Sequence, residues 1–155
     1  MAIRKEAKVS TFLKEVNLFD GLETKVINDI YRIGMVQNFK KGDLIVREEQ
    51  PSGSLYILIT GKAEVVISHK GKPQRKALAK LNRGSVIGEM SVFDGAPASA
   101  TVRAVEDCDV HIIRGTDFEA FLKKNPQSAF LIMKSLILSL SNRLRRTNLA
   151  LSLIA

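Results

Sequence analysis

Ten glycines punctuate the 155-residue chain. Between Gly42 and Gly95 they return at the interval expected of short strands joined by tight turns. The segments they bound, residues 44–46, 55–59 and 63–67, are rich in β-branched and aromatic side chains. Residues 77–81, 99–104 and 109–113 continue the series, and Lys70, Gly71, Lys72 and Pro73 read as an exposed hairpin tip. Many short strands with glycine turns predict a barrel or sandwich. At this length the chain closes one core rather than two, so a single domain spanning 1–155 is expected.

Both ends follow a helical period instead. Residues 9–16 and 23–33 space their apolar side chains about a turn apart, with Gly34 as the stop. Thr116, Asp117, Phe118 and Glu119 make a capping box for a short helix reaching Lys124. Asn125 and Pro126 then cap a long helix that runs uninterrupted by glycine or proline to Ala155. The expected organisation is helices over 1–34, strands over 35–115 and helices over 116–155.

Phe130, Met133, Ile137, Leu140, Leu144, Thr147, Leu151 and Ile154 alternate steps of three and four along that last helix. This is the a/d seam of helices that pair, and it predicts a parallel homodimer. The competing reading lays the helix on its own domain and buries Leu131, Ile132, Leu136 and Leu138. Both hold if the first turns dock and the later ones pair.

Composition excludes several classes. Apolar residues make up 45% of the chain and are spread along it, which is not the signature of disorder. A net charge of +8 favours anionic partners. The single cysteine, Cys108, forms no internal disulfide, and the start of the chain lacks a signal-peptide pattern. The most apolar stretch, 129–140, is broken by Lys134 and followed by Arg143, Arg145 and Arg146, so no membrane span is expected. The expectation is a cytoplasmic protein. Walker loops, dinucleotide fingerprints and zinc-ligand pairs are absent from the sequence, and two histidines leave little acid–base capacity, so it does not read as an enzyme and calls for no metal or cofactor. His69 and His111 read as surface or packing residues. The carboxylates around Cys108 raise a thiol pKa, so it reads as unreactive.

The chemistry concentrates in residues 84–104. A strand ends at Gly88, where the missing Cβ lets a ligand approach the backbone. Glu89 opens a short helical turn including Met90 and Ser91, whose free N–H groups attract an anion while the carboxylate accepts from hydroxyls. The loop Asp94, Gly95, Ala96, Pro97 leads into Ala98, Ser99, Ala100 and Thr101.

In that order these residues resemble the phosphate-binding cassette of the cyclic-nucleotide-binding domain family, which includes catabolite-activator-type regulators. Leu18, Phe19, Asp20, Gly21 and Leu22 are similar to the family's N-terminal helix signature. Residues 39–45 and 56–65 are similar to its early strands. The resemblance implies a mainly β fold, an antiparallel β-roll of jelly-roll type with flanking helices and a long C-terminal helix. It also implies cyclic AMP or cyclic GMP as ligand, with the cassette at 88–101. Carried over, Glu89 holds the ribose 2′-hydroxyl with Gly88 behind it. Met90, Ser91 and Ser99 face the phosphate, Thr101 lines the same pocket, and Thr147 and Asn148 reach the base.

One position departs from the family. The arginine that pairs with the cyclic phosphate is here Ala98, and a charge-assisted bond of that kind contributes about 1.5–3 kcal/mol. Arg103 shares strand parity with Ser99 and Thr101 rather than with Ala98, which suits a structural ion pair. Three readings follow: a nucleotide-sensing module signalling through its last helix, a degenerate module that serves protein interaction or dimerisation, and a binder of a different anion using Arg103 and the basic tail. The chain ends after the long helix, so DNA binding by this chain alone is not expected.

Overall fold

The computed structural model describes residues 2–68 and 75–154; the expected hairpin tip at 70–73 and His69 lie outside them. Among these residues eight strands form two antiparallel four-stranded sheets. One is ordered β1 (Gly34–Phe39), β8 (Cys108–Arg114), β3 (Ser54–Thr60), β6 (Val86–Ile87). The other is ordered β2 (Leu44–Val46), β7 (Thr101–Ala104), β4 (Ala63–Ser68), β5 (Arg75–Leu81). Helices α1 (Ala2–Leu13), α2 (Thr24–Arg32), α3 (Glu89–Asp94), α4 (Gly115–Lys124) and α5 (Pro126–Ile154) accompany them, with a 3₁₀ turn at Asn17–Phe19. This is the β-roll with flanking helices and a long C-terminal helix that the sequence predicts.

Strand β3 sets the layering. Its Leu55, Ile57 and Ile59 pack against the helices, joining Leu13, Phe19, Ile30, Phe118 and Ile132 in one cluster. Tyr56 and Leu58 point the other way, into a second cluster with Val46, Val102 and Val110 between the sheets. A strand covered on both faces needs an unbroken apolar run rather than alternation, as the sequence from Leu55 to Ile59 has.

Several local expectations change. The first helix begins earlier than residue 9 and stops at Leu13, and Val16 closes through a tighter N–H bond to the Leu13 carbonyl at 3.2 Å. Helix α2 stops at Arg32 with Ile33 as its cap, so Gly34 follows the helix end as expected and also opens β1, where a Cβ would stand 2.6 Å from the His111 ring. The strand expected from Ser99 starts at Thr101. The Thr116 capping box does not form. The Gly115 N–H donates to the Gly53 carbonyl at 2.7 Å, α4 starts two residues earlier than the box implies, and Asp117 instead receives the Arg114 guanidinium at 2.9 Å. Asn125 turns its side chain back onto the Phe121 carbonyl at 2.9 Å, closing α4, while its own carbonyl accepts the first bond of α5.

Helix α5 buries Ile132 and Leu136 in the core with Leu140 partly covered, whereas Leu138 is 56% exposed, against the reading that buries it. Phe130, Ile137, Leu144, Leu151 and Ile154 are exposed, so most of the seam stands clear of the domain.

Candidate functional site

A cavity of about 500 Å³ opens where the space between the sheets meets α3. Its walls include Val46, Val65, Ile67, Leu81, Ile87 and Val102, drawn from β2, β4, β5, β6 and β7. The register explains why these meet. Val65 pairs with Val102 and Val102 with Val46, so all three share one face of their sheet.

Gly88, Glu89, Met90, Ser91, Ala98 and Ser99 are brought together on this cavity, together with Arg143. Gly88 has φ of +85°, and a Cβ on it would lie 2.5 Å from the Ser54 carbonyl oxygen. Only glycine passes that point without strain. Its carbonyl accepts the Val92 N–H at 3.1 Å, setting the first turn of α3. Glu89 is buried at 7% exposure, and its Oε1 lies 3.4 Å from Arg143 Nη2 on α5. Met90 sits at the lip, half exposed. On β3, opposite Ile87, burial pushes the Tyr56 phenol above its usual pKa, a hydrogen bond with Ser54 opposing it.

Ala98 is 8% exposed and exchanges backbone bonds with the 47–50 turn: the Glu49 N–H donates to its carbonyl at 2.9 Å, and its own N–H donates to the Gln50 carbonyl at 3.2 Å. Asp94 fixes the preceding loop by accepting the Ala96 N–H at 2.8 Å.

Three expected site residues stand elsewhere. Thr101 is buried with its hydroxyl receiving the Glu48 N–H at 3.0 Å, on the face of β7 away from the cavity. Thr147 donates to the Arg143 carbonyl one turn back at 3.0 Å, and neither it nor the exposed Asn148 lines the cavity. Arg103 pairs with Glu64 across β4 and β7, its Nε 2.9 Å from Oε1, and so takes the structural role. Arg143 reaches the site, which the sequence signalled only through the basic tail's attraction for an anionic partner and not by any place in the cassette. Ser52, also on the cavity, had no signal at all.

Cys108 is buried, and burial first, then Glu106, Asp107 and Asp109, push its thiol pKa up. Among the described residues no group of His, Cys, Asp and Glu could hold a metal, and no helix is long and apolar enough to cross a membrane.

The family profile described as the cyclic nucleotide-binding domain matches residues 36–125, more than half of the chain. The chain belongs to the cyclic nucleotide-binding domain family. This domain is 29% identical over 143 residues to the cyclic AMP receptor protein of Thermus thermophilus, covering 92% of this chain and 64% of that protein. It is 35% identical over 96 residues to a cGMP-dependent protein kinase of Plasmodium berghei, covering 62% of this chain and 10% of the kinase. The crystal structure of the Thermus thermophilus catabolite activator protein superposes with a TM-score of 0.79 at 29% identity, over 89% of this chain and 62% of that one. The cyclic nucleotide-binding domain thus spans under two thirds of these relatives' lengths. It is a regulatory domain by family.

Proposed function

We infer that this domain is a non-enzymatic sensor: a nucleotide-type ligand enters the cavity at Gly88–Ser91 and Ala98–Ser99, and α5 reports its presence. The observation that carries this is the Glu89–Arg143 pair at 3.4 Å, because one partner lies in the cavity and the other on the long helix. An occupant that hydrogen-bonds Glu89 changes what holds Arg143, and so favours one placement of α5 over another. A ligand acts only through such a difference in affinity between placements. The Thermus relative is named a cyclic AMP receptor, which supports a cyclic nucleotide or a close analogue as the ligand class.

The sensor works as a parallel homodimer through Phe130, Met133, Ile137, Leu140, Leu144, Thr147, Leu151 and Ile154. Support comes from the exposure of Phe130, Ile137, Leu144 and Leu151, each at least 60%, on a helix whose other face is already docked. The same exposure favours a second reading, in which the domain pairs proteins and the cavity stays idle.

Thermal shift with cyclic AMP, cyclic GMP, nucleosides and cyclic dinucleotides, followed by hydrogen exchange along α5, separates the two. The sensor predicts a ligand that raises the melting temperature and changes protection between 143 and 154. No response to any of the panel overturns the sensor in favour of the interaction module.

A further inference from the structure

The charged groups on the cavity narrow the class of ligand, given the sensor reading above. Glu89 and Arg143 are the two charged residues lining it among the described residues, and they face each other. The lining is therefore neutral as a whole. Glu89 is the buried partner, while Arg143 arrives from the open side with its side chain 59% exposed. Ala98 offers a buried methyl group, and Arg103 is committed to Glu64 on the other face of β7. A cyclic phosphate would bring a negative charge into this space beside a buried carboxylate, with a single arginine to share between them. A desolvated charge lacking its own partner is strongly disfavoured.

Neutral hydrogen bonding and apolar surface, by contrast, are in supply. A carboxylate has about four acceptor positions, so Glu89 can keep Arg143 and still receive hydroxyl donors. Ser52 Oγ is buried at the same cavity without a hydrogen-bond partner. Val46, Val65, Leu81, Ile87 and Val102 supply the walls against which a flat apolar body can lie. The volume of about 500 Å³ is in the range of small-molecule sites.

We propose that the cavity takes an uncharged nucleoside-like molecule, an aromatic body bearing a vicinal hydroxyl pair, in preference to a cyclic nucleotide. The hydroxyl pair donates to Glu89, which then divides its acceptor positions between the ligand and Arg143, and the aromatic body lies on the valine walls. Every charge then keeps a partner.

Calorimetry on the full chain with adenosine, guanosine and their 3′,5′-cyclic monophosphates tests this. One nucleoside binds at least tenfold more tightly than its cyclic monophosphate, and its 2′-deoxy form loses at least tenfold. Glu89→Gln strips the lining of its negative charge and frees Arg143, so the preference reverses: the nucleoside weakens and the cyclic nucleotide gains. Ala98→Arg gives the same gain with Glu89 untouched, and melting curves of both variants verify that they fold. A wild-type protein that binds a cyclic nucleotide as tightly as the nucleoside overturns the proposal and leaves the sensor standing. Silence towards all four compounds also overturns it, and the sensor falls as well only if the cyclic dinucleotides give no response.

Discussion

His111 and Tyr31 lie ring on ring, centroids 5.5 Å apart and planes within 13°, with His111 Nε2 3.1 Å from the Tyr31 carbonyl oxygen. The contact ties β8 to α2. A carbonyl only accepts, so Nε2 carries the proton and Nδ1 presents a lone pair, buried without a partner. Burial lowers the His111 pKa, the Tyr31 carbonyl opposing it. The unfolded chain, with an imidazole pKa of about 6.5, then takes up its proton first as pH falls. The stabilising contribution is whole above that value and drains away as pH drops towards the folded pKa. Urea midpoints measured from pH 7.5 to 5 should fall in the wild type and fall less steeply in His111→Phe. An equal slope in the two would assign the pH dependence to other groups.

The two ends of α3 make a paired test of backbone strain. Gly88 and Gly95 both have positive φ, +85° and +69°, but a Cβ on Gly95 meets nothing within 4 Å. Gly95→Ala should cost about 1 kcal/mol, the left-handed penalty alone. Gly88→Ala adds a clash with the Ser54 carbonyl and should cost about 3 kcal/mol or more. Thermal denaturation reads both, at roughly 2–4 °C per kcal/mol for a chain of this size. Similar losses would mean that the Ser54 backbone gives way.

Glu64 and Arg103 are cross-strand neighbours on the outer face of β4 and β7, with the Glu64 side chain 17% exposed and that of Arg103 40%. Arg103→Leu strands a mostly buried carboxylate and should destabilise by about 1–3 kcal/mol, discounted for the half-exposed arginine. Glu64→Leu combined with Arg103→Leu should recover most of the loss. Chemical denaturation of the double-mutant cycle measures the coupling, and simple additivity would show that the pair contributes nothing beyond its parts.

Leu144 is 61% exposed at the middle of the clear part of the seam. Leu144→Glu places facing charges at the axis of a parallel pair and should yield monomers in sedimentation velocity, with the melting temperature of the β-roll little changed. A dimer that survives the substitution puts the interface elsewhere.

The sequence was most readable where function and neighbourhood coincide along the chain. Gly88 to Ser91 and Ala98 to Ser99 lie within twelve residues of each other and reach one cavity, so order and residue type sufficed. Arg143 lies 54 residues beyond Glu89, and only the docking of α5 through Ile132 and Leu136 brings it back. Periodicity locates such a helix without fixing its rotation about its own axis. Thr147 shows the consequence: heptad position and family likeness both pointed to it, yet its hydroxyl bonds the turn below. Strand β1 gave little signal because Met35 is exposed and Gln37 and Asn38 are polar, as an edge strand with one partner permits. The Thr116 cap failed for a different reason. The Gly115–Gly53 bond, which comes from across the fold and leaves no local trace in the sequence, accompanies an α4 that is already under way at Gly115.

The long helix is seated in the core through Ile132 and Leu136, and Arg143 ties its second half to Glu89. From Leu136, the last residue fully seated in the core, to Ile154 is a shaft of ~27 Å at 1.5 Å per residue. A tilt of about 10° about that fulcrum sweeps the tip through ~5 Å, nearly the pitch of a helical turn. Arg143 grips the shaft about a third of the way out. With Arg143 ~10 Å from the fulcrum, a shift of about 2 Å there is magnified to ~5 Å at the far end, where a second copy would feel it as a change of register.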